Sequence, residues 1–228
     1  MIILGNFQVA IDGPVGAGKS TVARLVAARA GFLYIDTGAM YRAVGLYARR
    51  EGFDPEEISN ENAISALLDN ITILFESDPH GQKVFLNGED VTSLIRTPEA
   101  SKGASAVARY IEVRTKVTAW AKALSAGSNV VMDGRDIGTV VLPKAQLKIY
   151  LDASVDIRAK RRHKELIEKG GSPDFEAVKE DIIQRDYNDS NRAADPLRAA
   201  DDAVIIDAGD MTIEETVETI LSRIPGCV

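Results

Sequence analysis

Cysteine is nearly absent from this chain of 228 residues, with Cys227 the single example. A thiol without a partner excludes an intramolecular disulfide and a cysteine metal cluster, so the fold is expected to rest on its core alone. Histidine is scarce as well, and His80 and His163 stand far apart, read as surface residues with no metal role. Basic charge is in the minority, 27 Lys and Arg against 34 Asp and Glu, for a net charge of −7. That balance argues against a general nucleic-acid surface while leaving room for a local basic pocket. No apolar stretch approaches membrane-spanning length. The opening Met1-Ile2-Ile3-Leu4-Gly5-Asn6 lacks the basic region of a signal peptide. A cytoplasmic monomer, with neither nucleic acid nor membrane as partner, is the expectation.

What is present is a chain 45% apolar, enough for one large core or a core with small lobes. Its most informative segment is Gly13-Pro14-Val15-Gly16-Ala17-Gly18-Lys19-Ser20, a complete Gly-x-x-x-x-Gly-Lys-Ser pattern. Three glycines let backbone N–H groups approach oxygens that side chains would otherwise block, and the helix that follows presents its positive end. Lys19 is suited to the β- and γ-phosphates of a nucleotide, and the Ser20 hydroxyl to a Mg²⁺ bridging them. The bare pattern arises by chance in on the order of one chain in a hundred. The apolar run Phe7 to Asp12 before it and the helical segment Thr21 to Ala30 after it, stopped by Gly31, make the nucleotide reading the stronger one.

Apolar runs and helical periodicities then alternate, which predicts an α/β fold with a parallel sheet. Four or five strands are candidates: Phe7 to Asp12, Phe32 to Asp36, Asn129 to Asp133, Leu147 to Leu151 and Ala203 to Asp207. Ligands gather at the carboxyl ends of such strands, so Asp12, Asp36 and Asp133 are expected to face one crevice. Between residues 71 and 91 the pattern changes to a small antiparallel insert, with Asn87-Gly88 a two-residue hairpin signal. Helix-like stretches flank it, Glu56 to Asp69 and Pro98 to Ala126. Ser154 is placed to cap a helix to Glu168, Gly170-Gly171-Ser172-Pro173 breaks the chain before another, and Thr212 with Glu215 forms a capping box. The two helices around the glycine break carry Arg158, Arg161, Arg162 and Arg185, with Arg192 and Arg198 after them, a cluster of the kind a mobile lid would have.

Three further segments carry chemistry. In Asp36-Thr37-Gly38-Ala39-Met40-Tyr41-Arg42, Thr37 reads as a helix N-cap or as a ligand hydroxyl, and Arg42 offers a fork suited to a monoester phosphate. Asp133-Gly134-Arg135-Asp136 is either an exposed turn or a site in which Asp133 holds Mg²⁺ or its waters and Arg135 neutralises a transferring phosphoryl group. In the segment from Arg185 to Arg192, helical spacing would place Arg185, Asp189 and Arg192 on one face, which is either a solvated surface or a ligand contact.

Taken in order with Leu94-Ile95-Arg96-Thr97 and the run Asp133-Gly134-Arg135-Asp136-Ile137-Gly138-Thr139-Val140-Val141, these motifs resemble the bacterial cytidylate kinases from Val9 to about Ile220. The resemblance implies transfer of the ATP γ-phosphoryl group to CMP or dCMP, with Mg²⁺. It implies a P-loop core of five parallel strands flanked by helices (residues 1–36, 129–154 and 200–228), a monophosphate-binding lobe with the β insert (37–128), and a helical, Arg-rich lid (155–199). It assigns ATP to Gly13, Pro14, Val15, Gly16, Ala17, Gly18, Lys19, Ser20 and Thr21, with Arg158, Arg161 and Arg162 from the lid. The CMP phosphate falls to Arg42, Arg135 and Arg192, cytosine to Ser105, Arg114 and Asp136, and the sugar to Arg185 and Asp189, with Thr37 and Asp133 beside them. Thr37 stands where many members carry Ser. Catalysis would rest on Lys19, Arg42, Arg135 and Arg192, and the metal on Ser20 and, through water, Asp133. A carboxylate at Asp136 can accept from the N4 amine of cytosine, and Arg114 can serve its N3 and O2 acceptors. Kinases for UMP, dTMP, AMP or shikimate are the nearest alternatives, and a nucleotide switch is a more distant one, since no Asn-Lys-x-Asp guanine-reading motif is present. The Leu-Ser-Gly-Gly-Gln signature of an ABC-type ATPase is also absent.

Overall fold

A computed structural model describes residues 6–54, 61–78 and 81–227. The opening segment read against a signal peptide, except Asn6, the start of the helix expected from Glu56, and His80 lie outside the described residues. The chain divides into two compact units, one made of residues 1–35 with 125–228 and the other of 36–124.

The larger unit is built on a parallel sheet of five strands, β1 (Gln8–Asp12), β2 (Leu33–Asp36, whose last residue belongs to the smaller unit), β6 (Val130–Asp133), β7 (Leu147–Asp152) and β8 (Val204–Asp207), in the order β2-β6-β1-β7-β8. The fully buried Val9, Ile11, Val131 and Leu151 explain the near-continuous apolar runs, because both faces of a parallel sheet are covered. Helices α1 (Lys19–Ala30), α6 (Val155–Glu168), α7 (Phe175–Asn191) and α8 (Ile213–Leu221) belong to this unit. Val22 and Val26 of α1 join Val217 and Ile220 of α8 in the core. Central strand β1 is flanked by β6 and β7, so its carboxyl end is the point where the connections diverge to opposite sides, the usual ligand position in such sheets.

Local chemistry accounts for most helix ends. Gly31 closes α1 at φ 68°, Ser154 accepts from the Ile157 N–H, and Thr212 and Glu215 form the reciprocal capping box of α8. Helix α1 starts two residues earlier than its periodicity suggests, because Gly18 at φ 95° turns the chain directly into it. Helix α7 ends at Asn191, and Arg192 is extended at φ −64° and ψ 146°. The expected helical face of Arg185, Asp189 and Arg192 therefore stops at Asp189. His163 is half-buried rather than a surface residue: its Nε2 lies 3.1 Å from the Pro173 carbonyl, and its ring meets Phe175 edge-on.

The smaller unit holds α2 (Thr37–Arg50), α3 (Glu61–Asp69), α4 (Pro98–Val107), α5 (Ile111–Ser125, whose last residue belongs to the larger unit), and an antiparallel sheet of β3 (Ile73–Asp78), β4 (Gly81–Leu86) and β5 (Glu89–Asp90). Asn87 at φ 49° and Gly88 at φ 85° join β4 to β5, both in the left-handed region that a two-residue hairpin demands. The cap of α2 is Asp36, not Thr37: the Asp36 carboxylate accepts from the Ala39 N–H at 2.9 Å, and Thr37 is the first helical residue, buried. The stretch from Pro98 to Ala126 is two helices rather than one. No glycine or proline marks the break at 108–110, where Arg114 NH1 reaches back to the freed Ala108 carbonyl. Helices α2 and α4 touch at backbone level, since a Cβ on Gly45 would stand 2.9 Å from the carbonyl carbon of Gly103.

Candidate active site

In the larger unit, the loop between β1 and α1 is fixed by glycines that no other residue replaces. Gly13 has φ 147°, and a Cβ there would lie 2.0 Å from the Leu151 carbonyl oxygen. Gly16 and Gly18 also take positive φ, so the chain wraps tightly into the start of α1. Lys19 is buried and folds back to donate from Nζ to the Pro14 carbonyl at 2.7 Å. Burial, reinforced by the Arg135 charge, lowers its pKa to about 7 against the opposing pull of Asp133, Asp189 and Asp12.

Two hydroxyls meet one carboxylate beside it. Ser20 Oγ donates to Asp133 Oδ2 at 2.7 Å, and the Tyr34 phenol donates to Asp133 Oδ1 at 2.9 Å. Tyr34 was not singled out by sequence, although the period of two along β2 sets it on the side of the strand that Asp36 shares. Asp12 is at the same end of the sheet but does not face a ligand space: its carboxylate accepts from the Ile137 and Gly138 N–H groups, each at 2.7 Å. Burial outweighs those two hydrogen bonds and raises its pKa to about 6.

Four arginines of this unit, Arg135, Arg158, Arg185 and Arg192, meet carboxylates of α7. Arg135 donates from Nε to Asp189 Oδ2 at 2.8 Å. Burial lowers its pKa, but the charge and hydrogen bond of Asp189, with Asp133 and Asp186, more than offset this and hold it above the usual arginine value. Arg192 lies 3.7 Å from Asp189 and 3.8 Å from Asp136, while its Nε donates to the Asp195 carbonyl at 2.7 Å. Arg158 is buried and bridges three acceptors: the Ala153 carbonyl, the Val15 carbonyl of the loop at 3.0 Å, and Asp186 Oδ2 at 2.6 Å. Asp186 carries no sequence signal because it sits within a charged helix. Arg161 donates to the Ala208 carbonyl, Arg162 to Glu165, and Arg185 pairs with Asp181 at 3.0 Å.

In the smaller unit, Arg42 NH2 donates to Asp36 Oδ2 at 2.8 Å, while its Nε is buried with no hydrogen-bond partner. Gly38 makes room for that pair, because a Cβ there would stand 3.1 Å from Arg42 NH1. Arg114 is buried with its guanidinium 6.0 Å from the Tyr41 ring centre, and Ser105 is half-buried on α4.

The family profile for cytidylate kinase matches residues 9–225. The cytidylate kinase of Shouchella clausii is 51% identical over 96% of both chains, and that of a Geobacillus strain 49% identical over 95% of both. Among solved structures, an uncharacterised protein from Eubacterium ventriosum superposes with a TM-score of 0.52 at 10% identity over 97% of this chain and 99% of its own, a likeness of fold alone. No helix among the described residues is long and apolar enough to cross a membrane. A profile spanning nearly the whole sequence, and identity near one half along almost the full length of two relatives, place the chain in the cytidylate kinase family.

Proposed function

We infer that the protein catalyses transfer of the γ-phosphoryl group of ATP to CMP and dCMP, giving ADP with CDP or dCDP, as a cytoplasmic monomer. The observation that carries this reading beyond family membership is the convergence, at the carboxyl end of β1 and β6, of a glycine loop, Lys19, Ser20, Asp133 and Arg135.

Phosphoryl transfer through a loose transition state needs little covalent help from the protein, so position and charge carry the rate. An oxygen of the CMP phosphate attacks the γ-phosphorus as the bond to the ADP oxygen breaks, and no protein nucleophile intervenes. The loop N–H groups and Lys19 hold the phosphates of ATP, and Arg135 with Arg192 neutralises the oxygens in transfer. The buried Arg42 Nε is a donor lacking an acceptor, which suits an incoming monoester oxygen. Thr37, Ser105 and Arg114 are read as further CMP contacts, with Asp136 for the cytosine amine and Arg185 and Asp189 for the sugar. Residues 155–199 are read as the lid, 37–128 as the monophosphate lobe, and the remainder as the core. In the lid, Arg161 and Arg162 remain candidates for ATP, whereas the buried contacts of Arg158 suit a brace under the loop.

The residues present suit Mg²⁺: Ser20 and Asp133 are hard oxygen donors 2.7 Å apart, the kind this ion takes in small number alongside phosphates and water. Ser20 would hold it directly and Asp133 through water, and when bound with ATP it would offset phosphate charge.

The test is ADP formation from Mg·ATP with CMP, dCMP, UMP, AMP, dTMP and shikimate offered separately. Turnover confined to CMP and dCMP is expected. Turnover centred on another acceptor would overturn the cytosine assignments of Ser105, Arg114 and Asp136 while keeping the loop.

A further inference from the structure

The Arg135-Asp136 pair sits in a turn whose two ends are both fastened to the last two residues of β1. On one side the Gly134 N–H donates to the Ile11 carbonyl at 3.1 Å. On the other, the Ile137 and Gly138 N–H groups donate to the two carboxylate oxygens of Asp12, each at 2.7 Å. The next residue in the chain is Gly13, which opens the phosphate loop and is itself packed against the Leu151 carbonyl. The strand that launches the loop therefore also carries the turn that follows β6, across a separation of 125 residues.

Backbone carbonyls alone would not fix this turn. From Ile137 the chain winds into a short π-helical segment, Ile137–Val141, in which Val141 N–H bonds to the Asp136 carbonyl and Leu142 N–H to the Ile137 carbonyl. Its leading N–H groups have no carbonyl before them to bond, and a single carboxylate satisfies two of them with charge-assisted bonds. Gly138 is the residue that permits the approach: a Cβ there would lie 3.3 Å from Asp12 Oδ2 and 3.2 Å from the Lys148 side chain. Asp12 is buried, and its contacts leave it turned towards the backbone rather than towards a ligand.

We propose that Asp12 is a positioning residue for phosphoryl transfer: its carboxylate holds Arg135 and Asp136 in register with the phosphate loop, so that one buried side chain aligns the group that stabilises the transfer with the groups that hold the donor. Asp12 touches no substrate, and it acts through the Ile137 and Gly138 N–H groups. The inference rests on the kinase reading given above, and wild-type turnover with CMP checks that reading in the same experiment.

The loss of one of the two acceptors in Asp12→Asn lets the turn shift while leaving the loop backbone in place. A misplacement of about 1 Å away from the chemistry costs on the order of a hundredfold in rate. The experiment measures kcat, the KM for CMP, the Kd for ATP and cooperative unfolding for wild type, Asp12→Asn and Gly138→Ala. Gly138→Ala presses on the same contact without altering charge, and neighbours need yield by only a few tenths of an ångström, so it decides the matter if Asp12→Asn does not fold. The expected result is kcat lower by about a hundredfold and a KM for CMP raised about tenfold in the folded variants, with the ATP Kd within about threefold of wild type. Variants that melt earlier but keep the wild-type kcat would reduce Asp12 to a structural residue and overturn the proposal, as would a loss confined to ATP affinity. Wild type that turns over no CMP would instead remove the kinase reading.

Discussion

Ser20 and Asp133 are 113 residues apart in the sequence, yet the serine hydroxyl donates to the carboxylate at 2.7 Å. The second carboxylate oxygen takes the Tyr34 phenol, so the acid is oriented from both sides. If Asp133 orders water around Mg²⁺, Asp133→Asn should raise the Mg²⁺ concentration for half-maximal activity by roughly 10-fold to 100-fold. A Mg²⁺ titration of turnover at saturating ATP checks this, and an unchanged midpoint would separate Asp133 from the metal. Tyr34→Phe should shift the midpoint in the same direction by less.

Arg135 is held by Asp189 at 2.8 Å, and the proposed function sets its charge against the transferring group. Arg135→Ala should lower kcat by about two orders of magnitude, the scale for losing one preorganised donor. Steady-state kinetics with CMP decide it, and a wild-type kcat would take Arg135 out of the reaction.

The depressed pKa of Lys19, about 7, gives nucleotide binding a proton signature. Polyphosphate favours the ammonium that burial disfavours, so ATP binding at pH 8 should be accompanied by proton uptake. Calorimetry in buffers of different ionisation enthalpy measures the uptake, and Lys19→Met should abolish it. The same shift has a sign for stability. The folded pKa lies below the ordinary 10.5, so the unfolded chain binds more protons between pH 7 and 10.5. The cost of burying this charge is complete below pH 7 and lifts as pH rises through that window.

The buried Arg158 should be hard to replace. Arg158→Ala leaves the Val15 carbonyl and Asp186 without their shared donor, and truncating one partner of a buried pair costs about 3–5 kcal/mol. The partial exposure of Asp186 moves the expectation to the low end, roughly 3 kcal/mol. Arg158→Lys should recover little, because one ammonium lacks the forked geometry that reaches three acceptors. Urea unfolding measures both variants.

Gly45→Ala should destabilise although alanine favours helices, since its methyl would press on the Gly103 carbonyl at 2.9 Å. Overpacking of this kind costs about 1–3 kcal/mol. Calorimetric melting should fall by several degrees, and an unchanged melting temperature would mean that α2 and α4 separate without cost.

The parts legible in the sequence are those whose physics is local. The glycine loop, Gly31, the Asn87-Gly88 hairpin and the capping box of α8 depend on neighbours within a few residues, and each is present where the residues suggest it. Asp36 and Thr37 are adjacent residues that can both cap a helix, and it is Asp36, at the end of β2, that accepts from the Ala39 N–H. The break between α4 and α5 carries no breaker residue, and the Ala108 carbonyl there accepts from Arg114, six residues on. Arg158 looks like any other arginine of α6 because its acceptor on the loop lies 143 residues away. The same distance hides Asp12, an ordinary strand-end acid until the turn at 137 and 138 is folded onto it.

The position of β1 at the middle of the sheet also bears on how the protein comes into being. Its two neighbours are β6 and β7, which begin only at residues 130 and 147. A chain emerging from the ribosome has therefore made its phosphate loop long before the strand beneath that loop has anything to pair with. Contacts of such sequence separation form late and slowly. The loop gains its shape only once most of the molecule has been synthesised, so a half-made chain carries the motif without the site.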